Sequence, residues 1–276
     1  MARGASHYVH GTDPVEQQRL ARMNRLLNEG ALRELALRGG ESILDFGCGL
    51  GQLTRAMARA AGKGARVVGI ERSPEQIAEA LRQARAANEG TLIEIRQGEA
   101  AAPPLRDDEW ATFDLVHARF LLEHLPDPLS AVRAMVRAAR PGGRIVLQDD
   151  DHEMLRLWPE PPGFETLWRA YIRTYDRHGN DPLVGRRLAS LLHAAGALPR
   201  RTSAVFFGGC AGQESFDDLV ENLATILDGA RGEILEVGAF DAAACDQAIA
   251  ALRAWRARPD ASFWYYVSWA EAVRPG

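Results

Sequence analysis

Lysine is all but missing from this chain: of its 33 basic residues only Lys63 is a lysine. That bias reads as the codon usage of a GC-rich genome. The arginines do not make a basic protein either, since 37 acidic residues leave a formal net charge of −4. Binding a nucleic-acid backbone requires a concentrated basic face, so such a partner is disfavoured. Cysteine is scarce as well. Cys48, Cys210 and Cys245 are odd in number, far apart and without metal-ligand spacing, which reads as three reduced thiols in a cytoplasmic protein. No stretch approaches the roughly 18 consecutive apolar residues of a membrane span. Met1 to His10 lacks the apolar core of a signal peptide. There is no internal repeat and no low-complexity linker. What is present is ordinary for a globular protein, 46% hydrophobic and 25% charged residues. A length of 276 residues suits one large α/β domain with extra helices, or two small domains.

The stretch from Glu41 to Gln52 stands out. Ser42 to Phe46 is a short apolar run fit for a buried strand, and it breaks into glycines at alternate positions, Gly47, Gly49 and Gly51. A helical pattern follows at once, carried by Leu53, Met57 and Ala60 or Ala61. Glycines at such a turn let a ligand lie against bare main chain, and the N–H groups of the following helix point at it. The dinucleotide fingerprint is G-x-G-x-x-G, whereas this pattern is G-x-G-x-G with Gln52 where a helical glycine would stand.

Ile43-Leu-Asp-Phe-Gly-Cys-Gly-Leu-Gly51 resembles motif I of the class I S-adenosylmethionine-dependent methyltransferases. Later segments resemble the same family in the same order. Leu122-Glu-His-Leu-Pro-Asp-Pro128 is similar to the segment after motif IV in its small-molecule members. Ala138 to Leu147 is similar to the helix, turn and fifth strand common in that group. The resemblance covers about Tyr8 to Leu198 and is specific from Ile43 to Leu147. It implies an α/β fold: a Rossmann-like, seven-stranded, mostly parallel sheet with its last strand antiparallel and helices on both faces. It also implies an N-terminal helical lid over residues 1–40, then a methyltransferase domain over 41–276 with a helical insertion at about 212–260.

Read in order, the chain offers a helix from about Pro14 to Asn28 and a second piece from Ala31 to Leu37. Ala65 to Ile70 is a second strand, ending at Glu71, which lies 24 residues beyond Gly47. That spacing is close to the one expected of a ribose-binding acid, and it makes the alternative, a free surface glutamate, the weaker reading. Ser73-Pro74 opens a helix to about Asn88, and Thr91 to Arg96 is a third strand. Phe113 to Ala118 is the fourth, continuing into a short helix from Arg119 to Leu125. Further on come helices at Phe164–Arg177 and Val184–Ala195, a strand at Thr202–Phe207, inserted helices at Phe216–Leu227 and Ala242–Trp255, and a last strand at Phe263–Val273.

The cofactor implied by the resemblance is S-adenosyl-L-methionine. The residues implied to hold it are Tyr8, Gln18, Asp45, Gly47, Gly49, Glu71, Arg72, Gln76, Gly98, Glu99, Ala100, Ala118 and Arg119. In this reading Asp45 accepts from the ligand ammonium and Glu71 from both ribose hydroxyls. Gln76 lies beside the adenine, and Glu99 with the next backbone N–H holds the ring. Tyr8 to Arg22 and the inserted helices would roof a closed chamber. Transfer from a sulfonium needs no acid, and a base only if the acceptor arrives protonated. His124 is the best-placed base; its other reading is a capping or packing residue. Asp149, Asp150 and Asp151 either meet substrate or form a solvated acidic turn. No Asn/Asp-Pro-Pro-aromatic motif, Pro-Cys nucleophile or C-x-x-x-C-x-x-C motif is present, which argues against DNA methylation and radical chemistry. No metal is implied. The expected reaction is methylation of a small molecule, with no nucleic-acid or membrane partner and with a homodimer allowed. The second reading is a protein of the same fold using S-adenosylmethionine for cyclisation or regulation. An NAD-dependent dehydrogenase ranks last, for its glycine spacing and its missing tyrosine–lysine pair.

Overall fold

The apolar runs of the sequence become the strands of one sheet. The computed structural model describes residues 14–238 and 241–276, with side chains described from residue 24 onward apart from 26, 177 and 178. The strands are β1 (Ser42–Phe46), β2 (Arg66–Glu71), β3 (Glu94–Gln97), β4 (Phe113–Arg119), β5 (Ala139–Asp149), β6 (Leu198–Phe206) and β7 (Tyr266–Val273). Their order is β3-β2-β1-β4-β5-β7-β6. The pairings of β1 with β2 and β4, of β2 with β3 and of β4 with β5 are parallel; β7 runs antiparallel to both β5 and β6. The expected seven-stranded sheet with one antiparallel last strand is what forms. Parallel strands are covered on both faces, which is why β1 and β4 carry buried apolar residues on both faces rather than alternating apolar and exposed polar ones.

Residues Leu27–Glu153, Gly179–Phe206 and Tyr266–Gly276 make one compact unit around this sheet. Its helices are α1 (Pro14–Leu35, in its later part), α2 (Gln52–Ala61), α3 (Pro74–Ala86), α4 (Pro128–Ala138) and α5 (Leu188–Ala194). On one sheet face Leu44, Phe46, Val116, Ala118, Ile145 and Leu147 pack with Met135 of α4 and Leu192 of α5. By strand alternation Ile43, Asp45, His117, Val146 and Gln148 point to the other.

The second unit takes in Met154–His178 and Phe207–Tyr265. Its helices Phe164–Thr174, Phe216–Gly229, Arg231–Glu236 and Ala242–Trp255 enclose a core of Leu167, Phe216, Leu223, Ile249 and Trp255. A three-stranded sheet of Arg156–Trp158, Ser262–Trp264 and Gly209–Cys210 belongs to it.

Several boundaries differ from the sequence reading, each for a physical reason. The first two helical pieces are one helix, α1. Gly30 does not break it, because a Cβ there would stand 2.5 Å from Val205 Cγ1 of β6; the glycine is a packing residue. The last strand is split: Ser262–Trp264 joins the small sheet and only Tyr266–Val273 joins the large one. The short helix expected at Arg119–Leu125 is a single 3-10 turn, Leu122–His124, since Phe120 takes a left-handed φ of 52°. Val184–Ala195 likewise divides into a 3-10 turn, Val184–Arg187, and α5.

Candidate cofactor and active site

The order β3-β2-β1-β4-β5 places a topological switch point between β1 and β4. In open α/β sheets ligands bind at the carboxyl ends of the strands there. The glycine turn leaves β1 at this point and enters α2 directly. Gly47 and Gly49 have φ of 66° and 52°, where a side chain is strained. A Cβ at Gly47 would stand 3.0 Å from Leu121 Cδ1, and one at Gly49 would stand 3.1 Å from Gln76 Oε1. The turn is thus bare backbone facing Leu121 and the Gln76 amide.

Glu71 closes β2 and is buried. Its Oε2 accepts from Gly49 N at 3.0 Å, and its Oε1 accepts from the N–H groups of Arg72 and Ser73, both at 2.9 Å. A carboxylate has about four lone-pair sites, so three backbone donors fix its position and leave capacity for a ligand hydroxyl. The surface-glutamate reading is overturned by this burial. Gly98 follows β3, donating to Glu71 O at 2.9 Å. A Cβ there would stand 2.4 Å from Pro104 Cδ, so Gly98 admits the Pro104 ring. Glu99 is exposed and Ala100 half-buried beside it. Ala118 and Arg119 end β4, and the Arg119 guanidinium donates to Asn28 Oδ1 of α1 at 2.8 Å. Asp45, Gly47, Gly49, Glu71, Arg72, Gln76, Gly98, Glu99, Ala100, Ala118 and Arg119 therefore all belong to the carboxyl edge of β1 to β4. Tyr8 and the side chain of Gln18 lie outside the described residues.

Asp45 has protein partners on both oxygens. Its Oδ2 accepts the Thr54 hydroxyl at 2.6 Å, and its Oδ1 lies 2.8 Å from His117 Nδ1. Both partners lie on the elements that flank the turn. The cause is register: Asp45 pairs with His117 across β1 and β4, on the same sheet face. Cys48 is structural. Its sulfur fills the space where Gly69 lacks a Cβ, and burial, with Asp45 and Glu71 adding to it, pushes its thiol pKa up.

His124 stands on the 3-10 turn after β4, 53% exposed, with its Nε2 at 3.5 Å from Glu123 Oε1. Glu123 is buried and its other oxygen lies 3.3 Å from His152 Nε2. Burial works against a charge on His152, but Glu123, Asp150 and Asp151 outweigh it and hold that pKa above its ordinary value. Ligand atoms of Glu123, Asp150 and His152 lie within 4.8 Å of one another, close enough to hold a metal ion. Within that group Glu123 and His152 form an ion pair.

The expected solvated turn at Asp149–Asp151 is corrected: Asp149 and Asp151 are buried. Asp149 Oδ2 accepts from Leu121 N and Leu122 N at 3.1 and 2.7 Å, and Oδ1 from Asp150 N at 3.0 Å. These bonds pin the turn that carries His124. Burial, then Glu123 and Asp150, push the Asp149 carboxyl well up. Asp151 is forked by Arg186 at 2.8 Å to each oxygen. The sequence reading missed Glu123 and His117. The signal for His117 was a histidine inside an otherwise apolar strand, which must find a buried partner.

The sheet order, its antiparallel β7 and the glycine turn facing Glu71 together define a class I methyltransferase fold. The methyltransferase domain family matches residues 16–197, and the chain belongs to it. It is 40% identical over 117 residues to a ubiquinone biosynthesis O-methyltransferase of Paracidovorax citrulli, covering 42% of this chain and 47% of that one. It is 33% identical over 156 residues to a 27-O-demethylrifamycin SV methyltransferase of Amycolatopsis mediterranei, covering 56% and 54%. The matches thus span about half the length of these curated relatives. Among solved structures, the cyclase SpnF aligns with a TM-score of 0.57 and 22% identity over 90% of this chain and 80% of its own, a likeness of fold alone. Among the described residues no helix is long and apolar enough to cross a membrane.

Proposed function

We propose that the chain transfers a methyl group from S-adenosylmethionine to a small-molecule acceptor. The observation that carries the reading is the bare turn Gly47–Gly49 held against Glu71, with Gln76 beside it. These residues fit the cofactor: a side chain at either glycine would fill the cradle, and Glu71 retains acceptor capacity for a ribose hydroxyl. Gly98, Glu99 and Ala100 would receive the adenine, and Ala118 and Arg119 the amino-acid end. When bound, the cofactor supplies an electrophilic methyl group on a sulfonium.

The chain's own contribution is placement and, for a hydroxyl acceptor, proton removal. Holding two reactants in line with water excluded accounts for most of the rate in such displacements. Asp149 fixes the Leu121–Leu122 N–H groups and so the position of His124. Glu123 orients the exposed His124 ring, which takes the acceptor's proton. The Paracidovorax relative is by name an O-methyltransferase, which favours oxygen as the acceptor atom. The test is calorimetric titration with S-adenosylmethionine, followed by a panel of phenols and aliphatic alcohols with S-adenosylhomocysteine release as readout. Binding and release with at least one acceptor are expected. Failure to bind the cofactor, or binding without methylation of any acceptor, would overturn the reading.

A further inference from the structure

His117 and Gln148 are fully buried polar side chains of the larger unit, and His117 is the one of the two joined to the glycine turn. It sits in the middle of β4, fully buried, between β1 and β5. Its Nδ1 meets Asp45 Oδ1 at 2.8 Å, and among the described residues its Nε2 has no hydrogen-bond partner. An unpaired N–H at a fully buried nitrogen is costly, whereas a bare lone pair costs less. The arrangement therefore suits one tautomer: proton on Nδ1, donated to Asp45, with Nε2 unprotonated.

Asp45 is in turn tied to Thr54 Oγ1 at 2.6 Å, in the first turn of α2. The glycine turn from Gly47 to Gly51 spans the gap between these two residues. Its ends are thus joined beneath it by a buried chain of hydrogen bonds, His117–Asp45–Thr54, running from β4 through β1 to α2. The carboxylate is the common member, and among the described residues His117 is its one side-chain partner on the neighbouring strand. On the β2 side the turn is also held by the bonds from Cys48 N to Ile70 O and from Gly49 N to Glu71 Oε2, both 3.0 Å, and Gly51 N closes on Cys48 O at 2.8 Å. The turn is held from below and from one flank.

We propose that His117 is a positioning residue of the cofactor site: by donating Nδ1–H to Asp45 it holds the glycine turn in the conformation that receives the cofactor. The proposal rests on the reading of this turn as the S-adenosylmethionine site. His117 touches neither cofactor nor acceptor in this role; it acts through Asp45 and Thr54. Second-tier hydrogen bonds of this kind set the geometry of ligand-binding groups by removing their rotational freedom.

The test compares His117→Leu, which fills the volume without a donor, with His117→Asn, whose amide can donate from near the Nδ1 position. S-adenosylhomocysteine binding is read by calorimetry. His117→Leu should weaken binding by about tenfold or more, and His117→Asn should restore it to within about threefold of the wild type. In a double-mutant cycle, Asp45→Ala with His117→Leu should be no worse than Asp45→Ala alone, because either change removes the His117–Asp45 link. Nitrogen-15 spectra of the wild type, with the His117 signals assigned through the variants, should show a protonated Nδ1 and a bare Nε2 with no cofactor added. A wild type that fails to bind the cofactor would defeat the functional reading itself. A wild type that binds, beside a folded His117→Leu variant of unchanged affinity, overturns the role of His117 alone. Additive losses in the cycle, or the opposite tautomer, overturn it equally.

Discussion

Replacing Glu71 with glutamine separates the two tasks assigned to that carboxylate. The change keeps size and shape, so no cavity arises. One amide oxygen can still accept from Arg72 N and Ser73 N, both 2.9 Å from Oε1. The amide nitrogen then faces Gly49 N, 3.0 Å from the present Oε2, and donor meets donor. A hydrogen bond to a charged group contributes about 1.5–3 kcal/mol, so the folded protein should lose about 2 kcal/mol. The same nitrogen can no longer accept from a ribose hydroxyl. That loss should weaken cofactor binding by about 2–3 kcal/mol, or about 30- to 150-fold in Kd. Calorimetry with S-adenosylhomocysteine gives the second number, and urea unfolding of the free protein the first. A Glu71→Gln variant that unfolds more easily yet binds as tightly as the wild type would make the carboxylate a loop anchor only. Unchanged stability and unchanged affinity together would refute both parts of the reasoning.

Three further outcomes follow from the structure. His124→Ala should lower kcat about 100- to 10,000-fold with a hydroxyl acceptor; an unchanged kcat would return His124 to a structural role. Buried Glu109 is held at about 2 by the Arg96 guanidinium at 2.6 and 2.8 Å, against burial and with help from the Arg106 N–H and Arg66. A folded-state pKa below the unfolded one gives stability that is present above about pH 4.5 and lost as pH falls toward about 2, up to about 3 kcal/mol. Glu109→Gln should flatten the urea midpoint across that window; a variant as acid-sensitive as the wild type would refute the assignment. Gly30→Ala should destabilise by about 1–2 kcal/mol despite alanine's better helix propensity, because its Cβ meets Val205 Cγ1 at 2.5 Å. Val205→Ala in the same chain should recover part of that loss, and a stabilised Gly30→Ala would show that the helix does not press on β6.

The sequence by itself determined what is local. An apolar pentapeptide followed by glycines at alternate positions specifies a buried strand, a left-handed turn and the start of a helix, because each step depends on backbone sterics within a few residues. The family resemblance then carried the seven-stranded, mostly parallel sheet with its antiparallel last strand, and the spacing from Gly47 pointed to the acid at the end of β2. The tertiary structure decided which polar groups spend their hydrogen bonds on one another. Asp45 and His117 are 72 residues apart and meet only because β1 and β4 pair in one particular register. A shift of one residue would turn them to opposite faces. Asp149 reads in sequence as part of an acidic surface turn. It is buried because the segment after β4 folds back on the end of β5 and gives it the N–H groups of Leu121 and Leu122. Gly30 reads as a helix breaker, yet β6 packs against its bare backbone and the helix runs on. In each case the residue type was visible in the chain, but its partner came from a distant segment, and the partner fixed its role.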